Sequence, residues 1–249
     1  MNTLKSLAYL AFLSVSVAET QAQTEEAVVL MFGDSITYGI PVRPRNFPEP
    51  DDGRGDTLGP SVEELQRLLS ESRRKSLVLN WGLGGSNSAT GASRLASSID
   101  SSKNAHPASQ YFILIQYGTN DEGTISTTST DASIRSMITT AIDKDIVPIL
   151  GNLTKRSDQS VNQRNNIITG IAQEMGVPLV DHNSTLTSFA TYFVYEQSFN
   201  PPHDSIYLHP NQLGYDKLAM NWFNSELQNL IQPSAPVITP IISLLLDDN

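Results

Sequence analysis

The sequence predicts a single α/β domain, a three-layer α/β/α sandwich built on a central, mostly parallel, five-stranded sheet. Three observations carry this expectation. Five short apolar runs rich in β-branched residues recur along the chain, at Ala27–Phe32, Leu77–Leu79, Tyr111–Gln116, Ile146–Leu150 and Val177–Val180. Helical periodicities lie between them, and this alternation gives parallel strands covered by helices on both faces. With 249 residues and 39% hydrophobic content, the chain is long enough to bury one full core. No internal repeat and no second domain is visible.

The elements follow in order. Residues 1–22 read as an export signal, with Lys5 in a short basic start, an apolar core over residues 7–18, and small residues at Ala18 and Ala22 where cleavage is expected. The apolar core is too short to span a bilayer, so no stable membrane insertion is expected once the signal is removed. The main domain is expected over residues 23–231. Ser61 and Glu64 have the spacing of a capping box ahead of Val62, Leu65, Leu68 and Leu69. Ile134, Met137, Ile138, Ala141 and Ile142 recur at helical spacing, as do Ile167, Ile168, Ile171 and Met175. A last helix is expected from about Asn211 through Leu218, Trp222, Phe223 and Leu227. Two aperiodic stretches, Pro41 to Gly59 and Glu122 to Thr130, follow strand ends and are expected to border the site. Residues 232–249, with three prolines, form a tail to which no function is assigned.

Composition excludes several classes. Sixteen Lys+Arg against 26 Asp+Glu give a net charge of −10. That balance argues against nucleic acid or an anionic membrane surface as main partner, because phosphate binding needs a basic footprint. There is no cysteine, so disulfides and thiol chemistry are excluded and a zinc site would have to use His and carboxylates alone. No phosphate-binding glycine loop and no dinucleotide fingerprint is present, and no cofactor or metal is expected.

The chemistry-bearing residues gather at the expected carboxyl ends of the strands, where active groups collect in parallel sheets. The first run ends in Gly33-Asp34-Ser35, the second in Asn80-Trp81-Gly82-Leu83-Gly84-Gly85-Ser86, and the third in Tyr117-Gly118-Thr119-Asn120-Asp121; His209-Pro210-Asn211 stands near the C-terminus. Ester cleavage needs these residue types. A serine hydroxyl is a weak nucleophile until a base takes its proton, and histidine titrates near neutrality. The tetrahedral intermediate needs fixed donors, which the Ser35 N–H, the Gly85 N–H and the Asn120 amide are placed to supply.

The four blocks, in this order, resemble the SGNH hydrolases, also called the GDSL esterase/lipase family, over nearly all of the expected mature chain. The overall pattern is most similar to the bacterial lysophospholipase/arylesterase branch. The resemblance implies a flavodoxin-like SGNH hydrolase fold, Ser35 as nucleophile, His209 as base, and Ser35, Gly85 and Asn120 as the oxyanion hole; the choice of Gly85 over Gly84 rests on that alignment. One position departs from the pattern. The family usually carries an Asp three residues before the His, where this chain has Ile206. Asp204, five residues before His209, is assigned as the orienting acid; a backbone carbonyl (leaving a Ser–His dyad) and Asp181 are the alternatives.

The implied activity is an exported serine esterase, secreted or periplasmic, acting on small-molecule or lipid esters: lysophospholipids, short acyl esters or aryl esters. A carbohydrate acetylesterase is the alternative, and a non-catalytic binding module with the same fold is a third. Bland readings cover the remaining features. Asp34 is expected to bond turn N–H groups, and Trp81 to be core. His106 is expected to be solvated and His182 to be structural, and the adjacent His203-Asp204 is not read as a metal pair. Arg54-Gly55-Asp56 resembles an adhesion tripeptide by chance, and Asn152 and Asn183 head sequons that matter only in a eukaryotic source.

Overall fold

The computed structural model describes residues 25–43, 51–197 and 205–233. The expected leader, Asp204, and all but the first two residues of the expected tail lie outside this set. In chain order the elements are β1 (Glu25–Gly33), α1 (Ser35–Tyr38), α2 (Pro60–Glu71), β2 (Ser76–Gly82), α3 (Ser88–Ala105), β3 (Ala108–Gln116), α4 (Thr127–Asp143), β4 (Val147–Gly151), α5 (Asn162–Met175), β5 (Leu179–Val180), α6 (His182–Thr185), α7 (Phe189–Tyr192), β6 (Phe193–Gln197), β7 (Ser205–Pro210), α8 (Gln212–Phe223) and α9 (Leu227–Leu230).

Strands β1 to β5 form an all-parallel sheet in the order β2-β1-β3-β4-β5. Alternate residues of β1 point to opposite faces, as a period of two requires. Val28, Leu30 and Phe32 pack with Leu95 and Ile99 of α3, Ile134 and Met137 of α4, and Ile168 and Ile171 of α5. Ala27, Val29 and Met31 pack on the other face with Val62, Leu65 and Leu69 of α2, Ala219 and Trp222 of α8, and Leu227 of α9. A strand buried on both faces must be apolar throughout, which is why Ala27–Phe32 is an unbroken apolar run rather than an alternating one.

The register places the site. Gly33 at the end of β1 is paired with Gly82 of β2 on one side and with Gln116 of β3 on the other. The segments beginning at Asp34, Leu83 and Tyr117 therefore leave the sheet side by side at one edge. At that edge the loop after α1 returns through bridges Asp52↔Leu83 and Asp56↔Asn80, so the segment 51–59 borders the end of β2.

Several elements differ from expectation. The 18-residue α3 carries no strong apolar periodicity because only Leu95 and Ile99 of its buried face are large and apolar, the rest being the small residues Ser88, Gly91, Ser98 and Ser102. The hairpin β6–β7 lies outside the main sheet. Ser61 does not cap α2. The helix starts at Pro60, and the Ser61 hydroxyl donates instead to the Tyr215 carbonyl of α8 at 3.0 Å. The expected loop over residues 122–130 is shorter, because Ser126 caps α4 by accepting from the Ser129 N–H. The expected last helix is two, α8 ending at Phe223 and α9 starting at Leu227. Among the described residues no helix is long and apolar enough to cross a membrane.

His182 is buried without exposure, edge-on to Trp222 at 4.6 Å between centroids, and its Nε2 has no hydrogen-bond partner. Burial pushes its pKa from 6.5 down to about 3, against a weaker opposing pull from Asp181. Between those values the unfolded chain binds a proton that the fold refuses, so this residue withdraws stability as pH falls below 6.5. At 1.36 kcal/mol per unit, the withdrawal reaches roughly 3 kcal/mol by pH 4. Replacing His182 by Leu is expected to remove that slope. Thermal midpoints of the two proteins measured from pH 7 to pH 4 should diverge in favour of the variant as the solution is acidified. Parallel curves would contradict a neutral, proton-refusing His182.

Candidate active site

The turn after β1 is compressed. A Cβ on Gly33 would lie 2.0 Å from Thr37 Oγ1 and 2.7 Å from the Gln116 carbonyl oxygen, so only glycine lets the chain reverse this tightly into α1. Asp34 caps α1, its Oδ1 accepting from the Ile36 N–H at 2.9 Å. Its carboxyl is fully buried, and burial raises its pKa to about 6 against the lowering pull of the Ile36 N–H, His209 and Thr119. Because Asp34 does the capping, the Ser35 side chain at the first helical position is released from that work.

The Ser35 hydroxyl instead faces His209. Oγ lies 2.9 Å from Nε2, and both residues are buried. The imidazole's other nitrogen, Nδ1, lies 2.6 Å from Glu196 Oε1, which also accepts from the His209 backbone N–H at 3.1 Å. A carboxylate on Nδ1 fixes the tautomer that leaves Nε2 free to accept the serine proton, and it stabilises the imidazolium that results.

Glu196 is the functional candidate that sequence reasoning missed. It comes from β6, whose antiparallel pairing with β7 sets Tyr195 opposite Tyr207 and Glu196 opposite Ile206, with an irregularity between Phe193 and Tyr195. Asp204, assigned to this place from the sequence, lies outside the described residues, and the Nδ1 position is taken by Glu196. Among the described residues no backbone carbonyl is bonded to it. Asp181, the other alternative, is engaged elsewhere, capping α6 through the Ser184 N–H and accepting from the Asn152 amide at 2.7 Å. A signal for the hairpin exists in Phe193-Val194-Tyr195-Glu196-Gln197 and Ser205-Ile206-Tyr207-Leu208-His209, two β-rich stretches of matched length.

One apolar cluster holds the serine and histidine together. Ile36, next to Ser35, packs with Leu186, Phe193, Tyr215 and Leu218, so α1, the hairpin and α8 share a core. Asn211 closes the arrangement by capping α8 through the Gly214 N–H and donating its amide to the Thr191 carbonyl at 2.9 Å.

The expected oxyanion donors Gly85 and Asn120 follow the ends of the neighbouring strands β2 and β3. Gly85 has φ +71° with open space where a Cβ would be, the left-handed backbone that glycine adopts without strain. Gly82 plays a different part from a turn. A Cβ there would fall 2.1 Å from the Tyr38 nitrogen, so its bareness lets α1 lie against β2. Asn80 stitches this corner, donating to the Tyr38 and Leu58 carbonyls and accepting from the Gly82 N–H. The Asn120 amide donates one hydrogen to the Ser86 carbonyl at 3.0 Å, which orients it. The next residue, Asp121, is buried and accepts from the Ser88 N–H, the Ser88 hydroxyl and the Thr130 hydroxyl, anchoring the turn to the starts of α3 and α4. Among the described residues neither the Ser35 N–H nor the Gly85 N–H donates to another backbone group.

The bland candidates are accounted for by contacts. Trp81 packs on the core and donates its Nε1–H to Ser102 at 2.9 Å. In Arg54-Gly55-Asp56 the carboxylate is held by Arg43 in a two-point pair. Asn152 is buried and Asn183 donates to the Leu153 carbonyl. No group of three or more metal-ligating side chains occurs among the described residues.

The arrangement has the parts for acyl transfer: a buried hydroxyl on an imidazole, a carboxylate behind the imidazole, and N–H groups at adjoining turns. The model of the GDSL-like lipase/acylhydrolase family matches residues 31–217. No curated protein sequence matches the chain. Among solved structures, a lipase/acylhydrolase from Enterococcus faecalis is similar at 17% identity and a TM-score of 0.59, over 84% of this chain and 100% of its own. An acetylxylan esterase from Geobacillus stearothermophilus is similar at 19% identity and a TM-score of 0.58, over 80% and 93%. A G-D-S-L family lipolytic protein from Veillonella parvula is similar at 20% identity and a TM-score of 0.54, over 78% and 95%. At these identities the likeness is one of fold.

Proposed function

The chain belongs to the GDSL-like lipase/acylhydrolase family, a family of carboxylic ester hydrolases, and on that premise we propose that it is an exported serine esterase working through an acyl-enzyme on Ser35. The observation that carries the proposal is the line Ser35 Oγ–His209 Nε2–Glu196, at 2.9 and 2.6 Å. Ser35 Oγ attacks the ester carbonyl while Nε2 takes its proton, and Glu196 steadies the imidazolium through Nδ1–H. The oxyanion is met by the Ser35 N–H, the Gly85 N–H and the second amide hydrogen of Asn120. Nε2–H is then given to the alkoxy oxygen, the C–O bond breaks and the alcohol leaves. Water attacks the acyl-serine by the same route, giving its proton to Nε2; the adduct collapses, the C–Oγ bond breaks, Nε2–H returns the proton to Ser35 Oγ, and the carboxylic acid leaves. Export is supported by the pattern of residues 1–22, with its basic start, apolar core and small residues.

For substrate we propose soluble short acyl or aryl esters and lysophospholipids first. A specific observation favours the alternative, an acetyl ester on carbohydrate. The hairpin that carries Glu196 and His209 bears an aromatic surface in which Phe189 stacks on Tyr207 at 5.5 Å and Tyr195 lies 4.9 Å from Tyr207, with Tyr195 64% exposed. Exposed tyrosine rings suit the C–H faces of sugars, and the acetylxylan esterase among the similar folds agrees with it. The test is hydrolysis of p-nitrophenyl esters from acetyl to long acyl, beside lysophosphatidylcholine and acetylated xylan. Turnover falling with chain length, together with acetate release from xylan, selects the carbohydrate reading; turnover rising toward long acyl and lysophosphatidylcholine selects the lipid reading. A folded protein that turns over none of these contradicts the esterase.

A further inference from the structure

Arg94, on the inward side of α3, is bonded at once to the ends of the three strands that carry the site. Its Nη2 donates to the Trp81 carbonyl and, at 3.3 Å, to the Gly33 carbonyl. The Tyr117 hydroxyl accepts from Nη2 at 3.0 Å and from Nε at 3.2 Å. Gly33 stands two residues before Ser35, Trp81 four before Gly85, and Tyr117 three before Asn120. The guanidinium lies over the Phe32 ring at 4.4 Å, and that ring meets Tyr117 at 5.4 Å. The Tyr117 hydroxyl also meets the Ser86 hydroxyl at 3.3 Å, and the Ser86 carbonyl is the group that orients Asn120. Gly91 keeps the helix close enough for this. A Cβ there would lie 2.7 Å from the Tyr117 ring.

We propose that Arg94 is a positioning residue of the oxyanion hole. It fixes where the Ser35 N–H, the Gly85 N–H and Asn120 stand relative to one another, and it keeps a positive charge behind them. The inference rests on the serine-esterase reading. Beyond Gly33, Gly82 and Gln116 the regular ladder of the sheet ends; the Leu83 N–H still donates to the Gly33 carbonyl at 2.9 Å and the Asn120 amide to the Ser86 carbonyl at 3.0 Å, and Arg94 adds one side chain that joins all three segments. A guanidinium suits the task because its five N–H donors form one rigid plane and its charge is permanent. It binds acceptors on all three segments at once, and each bond is charge-assisted. An oxyanion hole needs such rigidity, since its donors act by standing in place before charge develops.

The test uses the full chain with Arg94→Gln, Arg94→Lys and Tyr117→Phe, each titrated for active sites with a fluorophosphonate. Arg94→Gln is expected to lower kcat per active site by about 10- to 100-fold with KM within about threefold, as a donor set moved out of line would. Affinity for a boronic acid, whose adduct on Ser35 is tetrahedral and anionic, should weaken by the same factor, while affinity for the carboxylate product stays unchanged. Arg94→Lys keeps the charge without the fork and should recover part of the loss. Should Arg94→Gln fail to fold, Arg94→Lys and Tyr117→Phe are read in the same way, with a smaller loss expected. A kcat per active site within twofold of wild type, or boronate and product affinities falling together, overturns the inference. Wild type and Ser35→Ala run alongside. If wild type hydrolyses the ester and Ser35→Ala does not, the esterase stands whatever Arg94 does; if neither does, the esterase reading fails first.

Discussion

Replacing Ser35 by alanine is expected to lower kcat for ester hydrolysis by about 10⁶-fold, and His209→Ala by a comparable factor, with the double variant scarcely worse than either. Non-additivity follows from the geometry. The hydroxyl at 2.9 Å from Nε2 is useful only while the imidazole can take its proton, so removing either removes the same step. The residue of catalysis that survives comes from the N–H groups at Gly85 and Asn120 acting on a water attack. The fold should be spared, because α1 is capped by Asp34 and not by Ser35, and the thermal midpoint is expected to move by no more than a surface substitution would move it. Another buried serine at this edge, Ser86, offers no substitute nucleophile: its hydroxyl donates to the Leu83 carbonyl and meets Tyr117, not a base. Steady-state hydrolysis of p-nitrophenyl acetate, with fluorophosphonate labelling of the protein, measures both effects. A Ser35→Ala protein that still labels, or that keeps a tenth of wild-type turnover, would place the nucleophile elsewhere.

What could be read from the chain, and what could not, follows the physics of each element. The five strands were legible because parallel strands buried on both faces are written as unbroken apolar runs, as Val28 to Phe32 shows. The turn at Gly33-Asp34-Ser35 was legible because a charged residue and a glycine interrupt such a run abruptly. α3 was not, since a helix packed through Gly91, Ser98 and Ser102 has little hydrophobic contrast between its faces. Ser61 misled for a related reason. The capping-box spacing is local, whereas its hydroxyl is taken by Tyr215, 154 residues away. The acid behind His209 was the hardest to read. Proximity in sequence favoured Asp204, but an antiparallel hairpin brings a residue 13 positions away against the imidazole, and only the pairing of β6 with β7 reveals it.

Glu196 accordingly carries the second large expectation. Glu196→Gln is expected to lower kcat by about 10³- to 10⁴-fold near neutral pH with KM little changed, while Asp204→Ala stays within a few-fold of wild type. The isosteric amide keeps the shape of the pair but loses the charge that stabilises the imidazolium. An amide nitrogen turned toward Nδ1 would also donate to it, forcing the ring proton onto Nε2, where it blocks acceptance from Ser35. Glu196→Asp separates reach from charge. Shortened by one methylene, the carboxylate no longer spans the 2.6 Å contact from the same backbone position, and an intermediate loss is expected. The Glu196 backbone is fixed by its pairing opposite Ile206, so these changes should act on the imidazole without dismantling the hairpin, which near-unchanged thermal midpoints would verify. The opposite result, a near-normal Glu196→Gln with a 10³-fold loss in Asp204→Ala, would transfer the orienting role to Asp204 and leave the contact between Glu196 and His209 without a part in the reaction. Equal, modest losses in both would describe a Ser–His dyad that needs no carboxylate, in which the tautomer is held by Ser35 and the surrounding packing alone.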